Sequence, residues 1–423
     1  MNPTTDTAGI APLLAAGPPP DRTRVEGWQQ WLRTRHAFRP APRMTLAEHR
    51  ALPARRRALY DLHRTATHVN LRLQETPMSV AVAKVLRTRL QNNALSFAPG
   101  TRVGLMVSGG GFQGKTETVC DAAAAFEELW REVHRQLAPH NEPVPGTRDV
   151  FVPVAYCRLP VKATPKALCA SILDFYGAPH PKTLDGMIRA VRDSLRDHRT
   201  TALLLDDITR LRLHREDDQD TLDLVRELMD LNVTLVLIGV DIPRSGLLRG
   251  SYLDPATGQL IVPDLPRGRS HNPSAATQTE RRFDLVGLDP FAYTTPGQIR
   301  AFVDHLAGIE DQLRLLRAQP GMLTGGHMPE YLYRRTSGVI GLLRRLIEDG
   351  CTEAMAGGEE RLTVDLLDGT VLRPEQLGDL NAQAGELPDI PSTPRPHRRR
   401  RPTRGANTVF EDRGLPDAAG EAG

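Results

Sequence analysis

The chain has 423 residues, of which 40% are hydrophobic and 25% are charged, so it is long enough for two or three folded units. The formal net charge of +3 indicates no class of partner by itself. The four cysteines form no CxxC pair and no segment approaches the ~20 apolar residues of a membrane span, which argues against a zinc site and against a membrane protein. The start of the chain lacks the pattern of a signal peptide, so we expect a cytoplasmic protein with reduced, buried cysteines.

The first hundred residues are predicted to be a disordered segment followed by a small helical prefix. Residues 1–22 are rich in Pro, Thr, Ala and Gly, and the pattern is helical from Trp28 to Asn93 with breaks at prolines. We place the disordered segment over 1–40 and the helical prefix over 41–99. Two apolar faces at helical spacing support the prefix. They consist of Leu59, Leu62, Val69, Leu71 and Leu73, and of Val80, Val82, Val85, Leu86 and Leu90.

The region Arg102–Asp241 alternates strand-like and helix-like segments, which predicts an α/β core, over residues 100–290, with a parallel sheet flanked by helices. Short apolar runs typical of strands buried on both faces occur at Val103–Val107, Val150–Tyr156, Ala202–Leu205 and Val233–Ile238. Helices are predicted between them at Thr116–Leu137, Pro165–Tyr176, Leu184–Asp197 and Thr221–Leu231. Residues 242–280, rich in Gly, Pro, Ser and Arg, are predicted to be a loop or insertion without an assignable function.

The remainder of the chain is predicted to be a helical lid over 291–380 and a basic disordered tail over 381–423. Within the lid, helices are expected at Gln298–Leu306, Glu310–Leu316 and Gly338–Glu348. The tail contains the run Arg398–Arg401. Such a run can contact DNA or dock a partner, but it can equally be a solvated tail.

The strongest motif lies between the first predicted strand and the helix that follows it, and it matches the phosphate-loop pattern G-x-x-x-x-G-K-[ST]. It reads Gly109, Gly110, Gly111, Phe112, Gln113, Gly114, Lys115 and Thr116, with Glu117 next in the helix. Glycines let backbone N–H groups face a phosphate, and the helix N-terminus favours the same anion. Lys115 supplies a charge for the β- and γ-phosphates, and the Thr116 hydroxyl can join a Mg²⁺ shell. The alternative, a chance Gly-rich turn, does not account for the strand and helix on either side.

Three further positions carry candidate chemistry. Leu203–Asp207 is an apolar run ending in two carboxylates: Asp206 is expected to hold Mg²⁺ through water, and Asp207 to orient the attacking water. Asp241 follows the strand pattern of residues 235–240 and is a candidate sensor of the γ-phosphate, although an ordinary core strand and turn is the simpler interpretation. Arg282 precedes the lid and is a candidate for stabilising transition-state charge in a neighbouring subunit.

In this order the motifs resemble the AAA+ ATPases and, more narrowly, the TniB and TnsC regulators of DNA transposition. The resemblance covers roughly residues 45–370 and is carried by GGGFQGKTET, LLLDDITRL, VLIGVD, RRFDLVGLDPF and TSGVIGLLRRLIEDG. It implies that Lys115 and Thr116 bind ATP and Mg²⁺, that Asp206 and Asp207 form the Walker B pair, and that Arg282 acts in trans. It also implies a homo-oligomeric ring or filament on duplex DNA, held through phosphates, with a DDE transposase and a target-selection protein as partners.

Two departures from the family pattern bear on turnover. Asp207 stands where many of these ATPases have Glu, and its side chain is one methylene shorter. In the helix from Gly338, Arg344 and Arg345 come later than the position at which many AAA+ proteins have the arginine of their second sensor. Two other interpretations therefore stay open. One is a STAND-like signalling NTPase whose nucleotide state gates an effector, and the other is a slowly hydrolysing, nucleotide-gated scaffold.

Overall fold

The computed structural model describes residues 19–98, 100–137, 151–160, 164–210, 224–225, 227–242, 252–253, 260–261 and 282–370. The predicted basic tail and most of the predicted insertion lie outside these residues. The predicted helix Thr221–Leu231 falls partly outside them, and residues 224–225 and 227–229 are helical. None of the helices in the described ranges combines the length and hydropathy that a membrane span requires.

Within the described residues before the sheet lie α1 (Val25–Thr34), α2 (Leu46–Ala51), α3 (Ala54–Val69) and α4 (Pro77–Leu95). The prediction of disorder over 1–40 is wrong for α1. Trp28 in this helix is completely buried, and its indole Nε1 donates to Glu127 Oε2 at 2.7 Å. One deeply inserted side chain therefore orders a segment whose average composition is that of a linker.

Helix α3 presents to the protein the face opposite to the one we predicted. Leu59, Leu62 and Val69 are 38%, 45% and 46% exposed. The buried side chains of the helix are instead Tyr60, His63, Arg64, Thr67 and His68. Polar contacts with the lid, described below, explain this reversal. The second predicted apolar face is buried in α4 through Val82, Leu86 and Leu90, whereas Val80 is exposed.

The core is a five-stranded parallel sheet in the order β2-β3-β4-β1-β7. Its strands are β1 (Gly104–Gly109), β2 (Val154–Arg158), β3 (Ala202–Asp206), β4 (Thr234–Val240) and β7 (Phe283–Gly287). Two-residue strands β5 (Tyr252–Leu253) and β6 (Leu260–Ile261) form an antiparallel pair within the predicted insertion. The sheet is flanked by α5 (Lys115–Leu137), α6 (Pro165–Tyr176) and α7 (Leu184–Asp197). The predicted α/β fold is confirmed, because short runs of apolar residues suit strands covered on both faces.

The lid contains α8 (Pro296–Gln312), α9 (Met328–Thr336), α10 (Ile340–Ala356) and α11 (Val364–Gly369). These helices surround their own hydrophobic cluster, which includes Phe302, Leu332 and Leu346 and is separate from the cluster around the sheet. The predicted helix Glu310–Leu316 is wrong, because α8 ends at Gln312 and Leu313 has an extended backbone. Helices α9 and α11 were not predicted.

A polar network joins α3 to the lid. The guanidinium of Arg64, 1% exposed, binds the carboxylate of Glu360 with Nη1–Oε2 and Nη2–Oε1 distances of 2.7 and 3.1 Å. Glu360 also accepts the backbone N–H of Leu316 at 3.0 Å. His68 Nε2 accepts the backbone N–H of Arg314 at 2.9 Å. Since buried charges require such partners, the polar face of α3 must point inward and its apolar face outward.

Candidate functional site

The phosphate-loop motif occupies the turn between β1 and α5, as its sequence predicted. Strand β1 ends at Gly109, and α5 begins at Lys115. The Lys115 ammonium donates to the carbonyls of Gly109 and Gly110 at 3.0 and 2.5 Å. Burial lowers the pKa of Lys115, while the charges of Asp206 and Asp207 oppose this effect. The loop thus holds a cation at the N-terminus of a helix, an arrangement suited to an anion.

Asp206 at the end of β3 is the centre of a hydrogen-bonded cluster. Its Oδ2 accepts the hydroxyls of Thr116 and Tyr156, both at 2.8 Å, and its Oδ1 accepts the backbone N–H of Asp207 at 2.8 Å. Asp206 is 4% exposed. Burial and the neighbouring Asp206 charge raise the pKa of Tyr156, so the phenol stays a donor. Tyr156 was not predicted; its only sequence signal is its place in β2, the strand that pairs with β3.

The donor set at this point fits magnesium. Mg²⁺ takes one or two carboxylates and completes its shell with water and substrate phosphates. Thr116 and Asp206 supply one hydroxyl and one carboxylate, 2.8 Å apart. The described part of the chain contains no cluster of three His, Cys, Asp or Glu side chains that could hold a metal on its own. A magnesium ion here would accordingly depend on a bound nucleotide for most of its remaining ligands.

Asp207 lies beside Asp206 but its carboxylate is engaged by cations. Its Oδ2 is 2.8 Å from Nη2 of Arg210 and 3.7 Å from Nε of Arg158. The backbone of Asp207 is left-handed, with φ of 60°, which an L-residue adopts only when its surroundings impose it. The structure therefore places Asp207 at the site, with a side chain that is already ion-paired.

The other candidate residues lie at different distances from the loop. Asp241 follows β4 and donates its backbone N–H to Gly109 O at 3.3 Å, so it adjoins the start of the loop. Glu117, predicted to contact the nucleotide, binds the guanidinium of Arg22 through both carboxylate oxygens, at 2.6 and 3.1 Å. Arg22 also lies 5.7 Å from the ring centre of Tyr156. Sequence analysis missed Arg22, which lies in the segment predicted to be disordered.

Arg282 lies at the opposite end of the sheet from the loop. It immediately precedes β7, whose first residue Phe283 pairs with Gly104 at the start of β1. Gly109, where the loop begins, is five residues further along β1, or roughly 17 Å at the rise of a parallel strand. This distance places Arg282 away from the phosphate loop of its own chain.

The lid closes onto the phosphate loop through one close backbone contact. The N–H of Gly341, the second residue of α10, donates to Phe112 O at 2.9 Å. A Cβ at position 341 would lie 2.6 Å from that oxygen, so only glycine allows the two backbones to approach so closely. Phe112 itself is left-handed, with φ of 59°. The loop conformation and the lid position are thereby coupled.

A cavity with mostly apolar walls lies between the loop, the segment after α3 and the lid. Its walls include Leu71, Gln74, Gln113, Thr118, Leu288, His305, Ile309, Ile340 and Arg344. Two buried polar atoms there, Gln113 Oε1 and His305 Nδ1, have no hydrogen-bond partner. Burial lowers the pKa of His305 to about 4, so its ring is neutral at neutral pH. These two atoms could form hydrogen bonds to a ligand in the cavity. The structure also brings Arg344 to this wall, where its Nη2 donates to Val69 O at 2.9 Å.

The chain is similar to one protein family over part of its length and to several solved structures. The AAA domain family matches residues 112–244. Among solved structures, the ORC1 protein of Aeropyrum pernix in complex with DNA has a TM-score of 0.47 and 15% identity, covering 72% of this chain and 67% of that one. CDC6P from Pyrobaculum aerophilum has a TM-score of 0.40 and 16% identity, covering 68% and 65%. AMPPCP-bound DnaA from Aquifex aeolicus has a TM-score of 0.35 and 15% identity, covering 68% and 67%. No curated protein sequence matches the chain. Residues 112–244 therefore match an AAA domain, and the five-stranded parallel sheet flanked by helices has the AAA+ fold.

Proposed function

We propose that the protein is an ATPase that assembles on duplex DNA and regulates transposition, with ATP binding driving assembly and hydrolysis reversing it. The proposal that the protein binds ATP rests on one observation: the Thr116 hydroxyl donates to Asp206 at 2.8 Å, beside the buried Lys115. The transposition part is supported by the sequence resemblance to the TniB and TnsC regulators over roughly residues 45–370.

In this proposal the phosphates of ATP replace the loop carbonyls as partners of Lys115. The N–H groups of the loop and the start of α5 then face the β- and γ-phosphates. Thr116, and Asp206 through water, would hold magnesium, which would supply positive charge to offset that of the phosphates. The base occupies the apolar cavity, where Gln113 and neutral His305 offer it hydrogen bonds that they do not make within the chain.

Hydrolysis in this proposal requires two chains. Asp207 orients the attacking water in one subunit, and Arg282 of a neighbouring subunit stabilises the charge that develops on the γ-phosphate. A role for Arg282 in its own site does not fit its place just before β7, where the sheet begins and not where β1 meets the phosphate loop. Asp241, next to the start of the loop, would respond to the γ-phosphate. Such a requirement makes turnover depend on assembly.

The assembled form would hold DNA through its phosphates and recruit a DDE transposase together with a target-selection protein. Contacts with phosphates position a protein on DNA without reading its sequence. The basic run Arg398–Arg401, predicted to contact DNA or a partner, lies outside the described residues and stays a prediction.

A second candidate is the slowly hydrolysing, nucleotide-gated scaffold. It is favoured by the ion pair between Asp207 and Arg210 at 2.8 Å, because a carboxylate already held by a guanidinium is less free to turn toward an attacking water. The two candidates differ in rate: the ATPase regulator turns over many times once DNA is added, whereas the scaffold stays assembled after a single turnover.

The proposal is tested with purified protein and labelled duplex DNA, using size-exclusion chromatography and negative-stain microscopy with ATP, with ADP and without nucleotide. We expect rings or filaments on DNA with ATP only. Lys115→Ala should abolish nucleotide binding and assembly. Arg282→Ala should keep nucleotide binding and lose DNA-stimulated turnover, whereas Arg300→Ala, which removes an exposed arginine of α8, should change neither. Monomers indifferent to DNA under all three conditions would contradict the proposal and favour the STAND-like signalling NTPase.

A further inference from the structure

Residues 19–35, which we call the α1 arm, lie against the start of α5. Arg22 of this arm binds the carboxylate of Glu117 through both terminal nitrogens of its guanidinium, with distances of 2.6 and 3.1 Å. The Arg22 side chain is only 18% exposed. Glu117 directly follows Thr116, one of the two side chains expected to hold magnesium. The arm therefore contacts the first turn of α5 at the residue next to a proposed metal ligand.

The same arm holds the ring of Tyr156. The guanidinium of Arg22 lies 5.7 Å from the centre of that ring, within the roughly 6 Å at which a cation is attracted to an aromatic face. The indole of Trp28 stacks on the ring, with 6.3 Å between the ring centres and 16° between the planes. Trp28 is fixed in turn by its hydrogen bond to Glu127 of α5. Two side chains of the arm thus set the position of the Tyr156 ring.

Tyr156 connects the arm to Asp206, the second side chain expected to hold magnesium. The Tyr156 phenol and the Thr116 hydroxyl both donate to Asp206 Oδ2 at 2.8 Å. The backbone N–H of Asp207 donates to the other carboxylate oxygen. These donors fix the direction of the carboxylate, and Thr116 can keep its bond while a lone pair of its oxygen faces a metal. Removal of a partner that orients a metal-binding group typically lowers metal affinity by roughly 10- to 100-fold.

We propose that Arg22 is a positioning residue of the magnesium site, acting through Glu117 on one side and through Tyr156 on the other. It keeps Thr116 and Asp206 at the separation that a shared metal requires. Because Arg22 acts through these side chains and not on the phosphates, its loss should weaken the binding of nucleotide with magnesium and leave the binding of nucleotide without magnesium unchanged. This inference rests on the proposed function, since it concerns how the site holds ATP together with its metal.

The arm offers a matched control in Arg35. The guanidinium of Arg35 also binds a carboxylate of α5 through both terminal nitrogens, at 2.6 and 2.9 Å from the oxygens of Glu128. It also lies 5.7 Å from an aromatic ring centre, that of Trp31. Glu128 comes eleven residues after Glu117, which is about 16 Å further along α5 from the phosphate loop. Arg35→Ala therefore removes the same kinds of contact between the arm and α5, but far from the metal site.

The first test titrates a fluorescent ATP analogue into the full chain at a series of magnesium concentrations and in EDTA. Arg22→Ala should raise the magnesium concentration that half-maximally strengthens nucleotide binding about tenfold, and should leave the dissociation constant in EDTA unchanged. Arg35→Ala should match wild type in both measurements. Arg22→Lys keeps a charge beside Glu117 without the paired hydrogen bonds, so it should fold like wild type and shift the magnesium dependence in the same direction by a smaller factor.

The outcomes separate this inference from the proposed function. Equal magnesium dependence in Arg22→Ala and Arg35→Ala would overturn the positioning role. A loss of affinity in Arg22→Ala that is as large in EDTA as with magnesium would also overturn it, because that result indicates a purely structural contact. A wild-type chain that binds no nucleotide would contradict the proposed function and this inference together. A chain that binds ATP with magnesium but does not assemble on DNA would contradict the proposed function alone.

The second test asks whether Arg22 acts through Tyr156. Tyr156→Phe removes the donor to Asp206 while keeping the ring, and it should raise the magnesium requirement at least as much as Arg22→Ala does. Adding Arg22→Ala to Tyr156→Phe should then raise the requirement by clearly less than Arg22→Ala does alone, since residues that act through one another are not additive. Fully additive effects of the two substitutions would overturn the route through the phenol and with it the proposal.

Discussion

Replacement of Gly341 by alanine tests whether the lid and the phosphate loop are coupled through their backbones. A Cβ at this position would lie 2.6 Å from Phe112 O and 2.8 Å from Phe112 Cβ. Real Cβ atoms essentially never approach another heavy atom within 3.0 Å, so the two backbones must separate by about 0.4 Å or more. The hydrogen bond from Gly341 N to Phe112 O would lengthen or break.

The expected cost falls on nucleotide binding more than on folding. Forcing an extra methyl into a packed contact costs about 1–3 kcal/mol, and the chain can avoid that cost by moving the lid away from the loop. In the proposed function the base of ATP binds in the cavity between them, which needs the closed arrangement. Its affinity should therefore fall by roughly 5- to 150-fold, the equivalent of that energy. Thermal stability should change little, because alanine also favours the helix by up to about 1 kcal/mol.

The assay is titration of a fluorescent ATP analogue, with thermal unfolding measured on the same samples. Gly297→Ala is a matched control, since Gly297 is the second residue of α8 as Gly341 is of α10, and a Cβ there would meet nothing within 4 Å. Equal nucleotide affinity in the two variants would refute the coupling. A large loss of stability in Gly341→Ala alone would show that the clash cannot be relieved by the lid.

Three more predictions concern buried charges and turnover. Arg64→Leu leaves the buried carboxylate of Glu360 without its ion-pair partner and should lower the free energy of unfolding by about 3–5 kcal/mol in urea titrations. The double variant Arg64→Leu, Glu360→Leu should regain most of that free energy. An Arg64→Leu variant as stable as wild type would contradict this prediction. His305 has a folded pKa of about 4 against 6.5 when exposed, so the unfolded chain takes up a proton first as the pH falls below 6.5. The stability that neutral His305 confers is fully present above pH 6.5 and is lost as the pH falls toward 4. Between pH 7 and pH 5 the free energy of unfolding should fall by about 2 kcal/mol because of this histidine, and His305→Phe should abolish that part of the pH dependence. Asp207→Asn should lower kcat of DNA-stimulated ATP hydrolysis about 100-fold, whereas Arg210→Ala should not lower it; unchanged kcat in Asp207→Asn would exclude that carboxylate from the reaction.

The features that sequence analysis predicted correctly are local. Predicted helices Pro165–Tyr176 and Leu184–Asp197 match α6 and α7, because Thr164 and Thr183 cap their first turns through hydrogen bonds to N–H groups three residues on. The phosphate loop is equally local, since its glycines, lysine and helix N-terminus are contiguous. Strand β3 was recognisable because its apolar run is buried on both faces.

The features that were missed depend on partners distant in the chain. Trp28 orders α1 only because Glu127, 99 residues later, accepts its indole N–H. The face that α3 buries is set by Glu360, 296 residues after Arg64. An amphipathicity argument assumes that apolar residues face inward, and it gives the opposite answer wherever such a polar network forms. Tyr156 belongs to the same class, because its partner Asp206 is supplied by the neighbouring strand.

The network between α3 and Glu360 has a mechanical consequence. Helix α1 is fastened to the sheet domain through Trp28, and α4 packs against α5, while α3 between them is fastened to the lid. Any rotation of the lid must carry α3 with it, together with residues 39–43 and Arg72, which bond to α3 or to the lid. The movement must then be taken up in the short segments 35–38 and 73–76, and the second of these contributes Leu73, Gln74 and Thr76 to the cavity wall. A ligand that filled the cavity would therefore stiffen this segment, and the exposed Leu59, Leu62 and Val69 of α3 would shift with the lid.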